Sequence, residues 1–542
     1  MAEENLKKIK YLSFEGGGGK GVAYLGAVRG LEKKFNGGKL PLFNLLQRTL
    51  YKKNDKELKR RVETYIAPED QTKKNLVGVS GTSAGAITAF MLAMGMSYNE
   101  MYAVFNTPDK VFNKQFYMKI KKPFTIPPLP TPIPTILTPP YTIDSSLSSD
   151  TIPISFFEQL FEEYKDYPVT RMWQTALKDD RLEGKLSYVK HKDYSANLGS
   201  SYLQLGGLIE NFLIDKKNDP ITRKIFDINA GKHIYGLLHG RGIFSGAAAR
   251  EVIFSSLMRK FLFEKIGVRN KDPKKVTFED FFLMTGVDLV VTGTNLSTQE
   301  PKLFSIYHTP DFPVIEAVSI SMNLPFIFRP VYINGPVKFY KDPDYNLSYR
   351  GLYSDGGIIT NLPFRVFYTL KNISISKTQA GVKREVVKEI PVCAFDYEDR
   401  FNTKYSERKW TLGFILIDQS PKEIDQERIF TNELKFRIKD DAFNLYNAFF
   451  FRGSSGQFDK EERITRKIEL NITGLHLTDF ASANLNDVRN NMAEYREKEE
   501  YRDESGNIRY KIVDRKEKMS LLKKKRIEEA EKKTSDHIED FL

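Results

Sequence analysis

Cysteine and histidine are scarce in this sequence. Its 542 residues contain one cysteine, Cys393, and six histidines. A single cysteine excludes an intrachain disulfide framework, an iron–sulfur cluster and any multi-cysteine zinc site, and it is typical of a reducing compartment. Six histidines in a chain of this length argue against a large metal cluster. We therefore expect no metal site built from these residue types.

The sequence also lacks a long hydrophobic run. Its longest apolar stretch, residues 84–96, has about 13 residues, fewer than the ~20 that a membrane-spanning helix needs. Residues 1–8 carry charges but are not followed by the apolar segment of a secretory signal. We expect a protein that is cytoplasmic or peripheral to a membrane, and we leave non-classical secretion open.

Positive charge exceeds negative charge in this chain. Lys and Arg number 83 against 70 Asp and Glu, which gives a formal net charge of +13. Such an excess favours an anionic partner, either nucleic acid or the anionic surface of a membrane, and charge alone does not choose between them. Because no nucleic-acid-binding motif is recognisable, we expect no nucleic-acid partner. A hydrophobic content of 41% indicates a folded chain with an ample core.

Two strand–turn–helix units lie near the N-terminus. Residues 9–14 are strand-forming, and after a glycine run the apolar residues of 22–31 recur at helical spacing. The pattern returns with a buried strand at 76–79, a turn at 80–85 and an apolar helix at 86–96. Two such units predict a parallel α/β sheet. Further strands are expected at residues 288–295, near 326–333 and at 412–417.

Three segments differ in composition from the α/β pattern. Residues 123–140 contain eight prolines and predict an extended loop, either a rigid spacer or a lid over a substrate entrance. Residues 150–235 predict an inserted helical subdomain. The charged residues of 421–542 predict a mainly helical extension that ends in a solvated helix or tail. We expect the main domain over residues 8–420, with the proline-rich and helical insertion at about 123–235.

The pentapeptide Gly81–Gly85 places Ser83 in a Gly-x-Ser-x-Gly pattern. It lies between a predicted strand and a predicted helix, which is the context in which this pattern marks a nucleophilic serine. Glycines at both ends let the strand and the helix pass closely, so that the serine hydroxyl points out from the sheet edge. The positive end of the helix lowers the cost of negative charge there. Taken alone, the pentapeptide fits an ordinary glycine-rich turn equally well.

A glycine-rich turn follows the first predicted strand and contains Gly16, Gly17, Gly18, Gly19, Lys20 and Gly21. Its spacing matches the dinucleotide-binding pattern Gly-x-Gly-x-x-Gly, but that site needs an acidic residue on a second strand, and Glu32 lies inside the first helix. A phosphate-binding P-loop is excluded because Val22 follows Gly21. What remains is a run of side-chain-free amides at a helix N-terminus, a ready site for an anion. In an acyl-transfer enzyme those amides would hold the oxyanion.

A third element is the segment from Ser354 to Pro363, which contains Asp355, Gly356 and Gly357. A carboxylate between strand-like residues and two glycines can approach another strand end closely enough to take a proton from a serine. By itself, Asp-Gly-Gly is a common turn. A triad in the order Ser, acid, His would need a later histidine, and the two that follow both lie beyond the expected main domain.

The glycine-rich loop, the Gly-x-Ser-x-Gly turn and the downstream Asp-Gly-Gly, in this order, resemble the patatin-like phospholipase family, which is similar to cytosolic phospholipase A2 in using a Ser–Asp dyad. The resemblance covers roughly residues 8–420 and implies a three-layer α/β/α fold with a mainly parallel central sheet. It implies that Ser83 is the nucleophile and Asp355 the general base. It also implies an oxyanion hole formed by Gly16, Gly17, Gly18 and Gly19. The residues that would support these motifs are Lys20, Gly21, Gly81, Gly85, Gly356 and Gly357.

The resemblance further implies hydrolysis of fatty acyl esters of phospholipids, that is, a phospholipase A or lipid acyl hydrolase, with no metal and no cofactor. The residues alone indicate only ester or amide hydrolysis through serine. The implied partner is a phospholipid membrane surface. The basic-then-aromatic segment 435–451 suits such a surface but also fits a buried helix, and the positive charge of Lys523–Arg526 is offset by Glu528, Glu529 and Glu531. The insertion and the extension depart from a minimal patatin domain and suggest a protein or small-molecule activator. The alternative is a catalytically weak patatin-fold scaffold that binds membrane or protein.

Overall fold

The fold is described from a computed structural model of the chain. It covers residues 9–43, 45, 76–106, 242–244, 246, 249–268, 271–306, 308–333, 349–367, 369–379, 382–392, 410–420, 466–475 and 492–541. The predicted proline-rich segment and helical insertion, the segment 435–451 and Cys393 lie outside these residues.

The strands of the described fold are, in chain order, β1 (Ile9–Phe14), β2 (Gly78–Gly81), β3 (Gly242–Phe244), β4 (Asp288–Asn295), β5 (Glu300–Phe304), β6 (Phe326–Phe328), β7 (Val331–Ile333), β8 (Gly351–Asp355), β9 (Thr369–Gln379), β10 (Val382–Val392), β11 (Trp410–Ile417), β12 (Lys467–Asn471), β13 (Met492–Arg502) and β14 (Ile508–Lys518). The helices are α1 (Tyr24–Asn36), α2 (Ala84–Ala93), α3 (Tyr98–Asn106), α4 (Phe278–Thr285), α5 (Val314–Ser321) and α6 (Met519–Phe541). Turns of 3-10 helix span Gly18–Ala23, Pro273–Lys275 and Gly356–Ile358, and a helical segment of mixed α and π geometry spans residues 249–266.

One large sheet has the strand order β12-β11-β1-β2-β4-β8-β7, with β5 paired to β4. Five neighbouring strands, from β12 to β4, run parallel, whereas β5 and β8 run antiparallel to β4. The predicted α/β fold with a mainly parallel central sheet is therefore confirmed. Because parallel strands end at the same edge of a sheet, the turns after β1, β2, β11 and β12 lie along one edge.

Aromatic side chains fill the core on which this edge rests. The ring of Phe14 stacks on that of Phe414 with centroids 4.8 Å apart, which locks β1 against β11. On α2, the ring of Phe90 packs edge-on against Phe254 at 6.0 Å. All ten residues of α2 are buried, so the sequence predicts correctly that this segment is an apolar helix. Its burial fixes the position of the turn that precedes it.

The C-terminal part of the chain belongs to this core. β12 pairs in parallel with β11, so the expected domain boundary at residue 420 falls between two paired strands of one sheet. Helix α6 packs along α1, where Gly26 and Gly30 permit a close approach. A Cβ atom on Gly26 would overlap the carbonyl oxygen of Ile527, and one on Gly30 would lie 2.9 Å from the carbonyl oxygen of Glu531.

The predicted solvated helix at the C-terminus is a helix, but only one of its faces is exposed, and the other is buried in the core. Lys523 and Arg526 have no exposed side-chain surface, so the basic block cannot face anionic lipid as a unit. The guanidinium of Arg526 donates to the carbonyl oxygen of Thr473 at 2.9 Å and pairs with Glu497 at 3.0 Å and Glu529 at 2.7 Å. A buried charge needs such partners, because desolvation would otherwise destabilise the fold.

In its described part, the extension contains strands as well as the long helix. An antiparallel hairpin formed by β13 and β14 precedes α6, and its strands have 11 residues each against 23 in the helix. The mixed charges of this segment predict a solvated helix from the sequence. In the structure, such charges pair across the two strands, as Arg496 does with Asp514 at 3.0 Å. Among the described residues, no helix is both long and apolar enough to cross a membrane.

Candidate active site

Ser83 lies at the sharp turn between β2 and α2. Its backbone has φ 53° and ψ −121°, a conformation that residues other than glycine rarely adopt. Such backbone strain is common at functional turns. Gly81 and Gly85 make the turn possible, because a Cβ on Gly81 would overlap the carbonyl of Gly85 and a Cβ on Gly85 would overlap the carbonyl of Phe14. The strand-to-helix context that the sequence predicts for Gly-x-Ser-x-Gly is thus present in the structure.

The turn at Ser83 is held by a serine from another helix. The backbone N–H of Ser83 donates to the Oγ of Ser321, the last residue of α5, at 3.0 Å. Both residues are buried, and Ser83 retains 2% of its surface. The segment Ser321–Pro330 also resembles the family, but the sequence assigns no role to Ser321, and only the packing of α5 against the turn shows its contact with Ser83.

Asp355 is the last residue of β8 and lies opposite Gly293 of β4. Its backbone N–H donates to the carbonyl oxygen of Asn323 at 2.9 Å, and its Oδ1 accepts from the N–H of Gly357 at 2.7 Å. The carboxyl group is completely buried. Burial raises the pKa of Asp355 to about 7, while the Gly357 amide and the Ser83 hydroxyl act to lower it.

The second oxygen of Asp355, Oδ2, is buried and accepts no hydrogen bond of full geometry. The Ser83 hydroxyl is near enough to stabilise the carboxylate, although the contact is looser than an ideal hydrogen bond. Such loose contacts between a nucleophile and its base are common before substrate binds. The structure therefore brings the two predicted dyad residues together and leaves one carboxyl oxygen able to accept a proton.

A buried hydroxyl network fixes the segment that follows Asp355. Thr82 Oγ1 lies 2.6 Å from Thr292 Oγ1 and donates to the carbonyl oxygen of Thr360 at 2.9 Å. In the same strand, β2, the hydroxyl of Ser80 donates to the carbonyl oxygen of Pro363 at 3.0 Å. A Cβ on Gly356 would overlap the Thr292 hydroxyl, which explains why the residue after the aspartate is glycine. The segment is thereby fixed against β2 and β4.

The glycine loop leads from β1 into a 3-10 turn and then into α1. The first amides of a helix have no acceptor within it, so those of Gly17, Gly18 and Gly19 are the donors that the loop can offer to an anion. The amide of Gly16 is different, because it donates to the carbonyl oxygen of Asn361 at 2.9 Å. The prediction that Gly16 contributes an oxyanion donor is therefore wrong: that N–H already has an acceptor.

The remaining motif residues support the loop rather than line the reacting centre. A Cβ on Gly21 would lie 2.7 Å from the Cβ of Ala84, so Gly21 lets the loop pack onto the start of α2. Lys20 is partly buried, and its N–H donates to the carbonyl oxygen of Gly17 at 3.1 Å. Burial acts to raise the pKa of Asp418, but the hydroxyl and amide of Ser420 and the hydroxyl of Thr473 lower it, and the charge of Lys20 adds to this lowering.

His308 takes no part in this site. Its ring nitrogen Nδ1 lies 2.7 Å from the hydroxyl of Ser305, and burial lowers the pKa of His308 to about 4. His537 is a buried residue of α6. Within the described ranges, no group of His, Cys, Asp and Glu side chains could hold a metal ion. The arrangement thus has a candidate nucleophile, a buried carboxyl group as candidate base and a set of backbone N–H groups as candidate oxyanion donors.

These features define an α/β protein with a serine at a strained strand-to-helix turn, a buried carboxyl group beside it and a glycine loop at a helix N-terminus. The family model for patatin-like phospholipase matches residues 12–368 of the sequence. The chain therefore belongs to the patatin-like phospholipase family. The match includes the glycine loop, the turn at Ser83 and the Asp355 segment.

Two curated viral proteins are similar over part of the chain. A probable lipid hydrolase, 463L, of Invertebrate iridescent virus 6 is 27% identical over 142 residues, which is 26% of this chain and 41% of that protein. The uncharacterized protein R571 of Acanthamoeba polyphaga mimivirus is 29% identical over 117 residues, 20% of this chain and 34% of that protein. The chain thus spans less than half the length of these relatives.

Two solved structures are also similar. VipD from Legionella pneumophila matches 98% of this chain and 67% of its own, with 13% sequence identity and a TM-score of 0.29. The structure of full-length SpcU with full-length ExoU from Pseudomonas aeruginosa matches 61% of this chain and 42% of its own, with 19% identity and a TM-score of 0.20. Both scores are low, so the assignment to the family depends on the family match.

Proposed function

We propose that the protein is a lipid acyl hydrolase that cleaves fatty acyl esters of phospholipids through Ser83 and Asp355. The observation that carries this proposal is the strained turn that holds Ser83 beside the buried carboxyl group of Asp355. Membership of the patatin-like phospholipase family and the similarity to a probable lipid hydrolase support a lipid ester as substrate. We propose a phospholipid membrane surface as the place where the enzyme meets it.

The first half of the reaction transfers the acyl group to the enzyme. Asp355 Oδ2 takes the proton of the Ser83 hydroxyl as Oγ attacks the ester carbonyl carbon, and the carbonyl oxygen becomes an oxyanion. Collapse of this intermediate breaks the bond to the alcohol, which leaves with the proton held by Asp355. A base with a pKa of about 7 is suited to both roles near neutral pH.

The second half releases the fatty acid. A water molecule gives its proton to Asp355 and attacks the acyl carbonyl carbon, and a second oxyanion forms. Its collapse returns the proton to Ser83 and frees the carboxylic acid, so one water is consumed for each ester cleaved. The amides of Gly17, Gly18 and Gly19 stabilise both oxyanions, and the loss of one such donor costs on the order of 10²–10³ in rate.

The proposal is tested with fatty-acid release from mixed phospholipid vesicles and with a fluorophosphonate probe that reacts with activated serines. Wild type should release fatty acid and be labelled at Ser83, and Ser83→Ala and Asp355→Asn should do neither. Circular dichroism of each variant shows that it is folded. Labelling without release would indicate that an activator controls substrate access. A folded wild type that is not labelled with lipid present would favour the non-catalytic scaffold.

A further inference from the structure

Glu15 is a buried acid at the start of the glycine loop, directly after β1. It keeps 5% of its surface, and both of its carboxylate oxygens accept hydrogen bonds. Oε2 accepts from the backbone N–H of Leu416 in β11 at 2.8 Å, and Oε1 accepts from Nδ2 of Asn361 at 3.0 Å. Burying a carboxylate is costly unless its oxygens are satisfied, so a residue of this kind is expected where its contacts matter.

Asn361 lies in the segment that begins with Asp355, and it contacts the glycine loop through its backbone and its side chain. Its carbonyl oxygen accepts from the N–H of Gly16 at 2.9 Å, while its Nδ2 donates to Glu15. Its Oδ1 is so close to Gly16 that a Cβ there would overlap it. The same Cβ position is 3.2 Å from the Cβ of Ser83, which places this contact at the edge of the dyad.

We propose that Glu15 and Asn361 are positioning residues that hold the oxyanion-loop amides in register with the Ser83–Asp355 dyad, an inference that rests on the proposed function. The Glu15–Asn361 clamp joins three pieces: the loop with the donor amides, the segment that carries the base, and strand β11. Neither residue is needed to exchange a proton with substrate, because both oxygens of Glu15 are already engaged. The donors are preorganised only while the clamp is closed, and oxyanion stabilisation depends on such preorganisation.

Exchanging donor and acceptor across the clamp gives the sharpest test. Glu15→Gln leaves one acceptor oxygen for two donors, Nδ2 of Asn361 and the N–H of Leu416, so one of these donors must oppose the new NH2 group. In Asn361→Asp two carboxyl groups face each other at about 3 Å, a geometry in which both cannot stay ionised. The double variant E15Q/N361D restores one donor and one acceptor with the same shape and the same total charge.

The experiment measures the rate of fluorophosphonate labelling at Ser83 for the wild type, both single variants and the double variant. The labelling rate of each single variant should be about 10²-fold below that of wild type, the loss expected for a displaced oxyanion donor. The double variant should be labelled at least tenfold faster than either single variant. Relative to wild type at each pH, N361D should improve as the pH falls, because the two carboxyl groups can then share one proton. A merely structural role would not produce that pH dependence.

Asn471→Asp is a matched control. Nδ2 of Asn471 donates to Glu529 at 3.0 Å, so this substitution also sets two carboxyl groups face to face, but at the β12–α6 contact. It should leave the labelling rate within twofold of wild type. Single clamp variants that are folded and label at the wild-type rate, or a double variant no faster than the single ones, would overturn the proposal.

Hydrogen exchange separates failure of the clamp from failure of the proposed function. Amides of residues 15–23 should exchange faster in each single variant than in wild type and return toward the wild-type rate in the double variant. If wild-type Ser83 is unreactive to the probe, the proposed function fails, while these exchange rates still decide whether the clamp orders the loop. Unchanged exchange in both single variants would refute the clamp regardless of activity.

Discussion

The backbone N–H of Ser83 donates to the hydroxyl oxygen of Ser321 at 3.0 Å, which ties the turn of the candidate nucleophile to the end of α5. This hydrogen bond satisfies a buried amide whose residue is in a strained conformation. A buried amide that loses its acceptor costs about 1–3 kcal/mol. The geometry of the nucleophile therefore depends on a residue that belongs to another element of the fold.

Ser321→Ala should lower the free energy of unfolding by about 1–3 kcal/mol and slow labelling of Ser83, because the amide loses its acceptor and the strained turn can relax. Urea unfolding and labelling rates measure both effects. Ser319→Ala is the control on the same helix: its hydroxyl only donates back to the carbonyl oxygen of Ile315 at 2.7 Å, so neither quantity should change much. Equal effects for the two variants would contradict a specific role for Ser321.

The rate of Ser83 labelling should fall about tenfold per pH unit below a pKa near 7. The reason is that Asp355 must be ionised to accept the serine proton, and burial raises its pKa to about 7. Labelling from pH 5 to pH 9 measures this acidic limb. Glu32 is a suitable control because burial raises the pKa of Glu32 to about 7 as well, and its carboxylate accepts from the N–H of Tyr98 on α3. Glu32→Gln should therefore keep the same limb.

Asp355→Asn should abolish labelling and yet stabilise the fold at pH 8 relative to wild type. The carboxyl of Asp355 has a folded-state pKa of about 7, above its ordinary value of 3.8. Between these values the folded state keeps a proton that the unfolded chain has released, so wild-type stability falls as pH rises, by about 1.4 kcal/mol per pH unit. The difference between variant and wild type should shrink toward pH 4. Urea unfolding at several pH values would contradict this if wild type were the more stable at pH 8.

Gly26→Ala should destabilise the protein by about 1–3 kcal/mol, because the added methyl group would overlap the carbonyl oxygen of Ile527 in α6. Gly30→Ala should cost less, since its Cβ would lie 2.9 Å from the nearest atom, the carbonyl oxygen of Glu531. Thermal unfolding measures both. Removal of residues 519–542 should unfold the main sheet, because α6 covers the buried faces of α1 and β12. A truncated protein with unchanged melting temperature would show that α6 is dispensable.

Much of the site could be predicted from the sequence because its motifs are local. A nucleophile turn needs small residues on both sides of the serine, and Gly81 and Gly85 stand at those positions beside an apolar helix. The strand at Asp288–Asn295 is predicted with its observed bounds, since a run of β-branched residues there is buried on both faces. The resemblance to the patatin-like phospholipase family then implies that Asp355 is the candidate base.

The predictions that failed concern contacts between segments far apart in the chain, which the local sequence pattern does not reveal. The amide of Gly16 looks like any other in the glycine run, and only the approach of Asn361 shows that it already has an acceptor. Lys523 and Arg526 look solvated because their neighbours are charged, yet both are buried, and the guanidinium of Arg526 donates to the carbonyl oxygen of Thr473 and to Glu497 of the hairpin. Whether a side chain is buried depends on the surface that packs against it, and residues distant in the sequence form that surface.

By itself, the sequence determined the parallel α/β pattern, the serine turn, the glycine loop and the Asp-Gly-Gly turn, because each depends on residue types at short, fixed spacing. Only the tertiary structure decided that the amide of Gly16 already has an acceptor, that Ser321 contacts the Ser83 turn and Asn361 the glycine loop, and that α6 belongs to the core. Hydrogen bonds and packing between segments far apart in the chain depend on how strands and helices come together. No short spacing in the sequence encodes that arrangement.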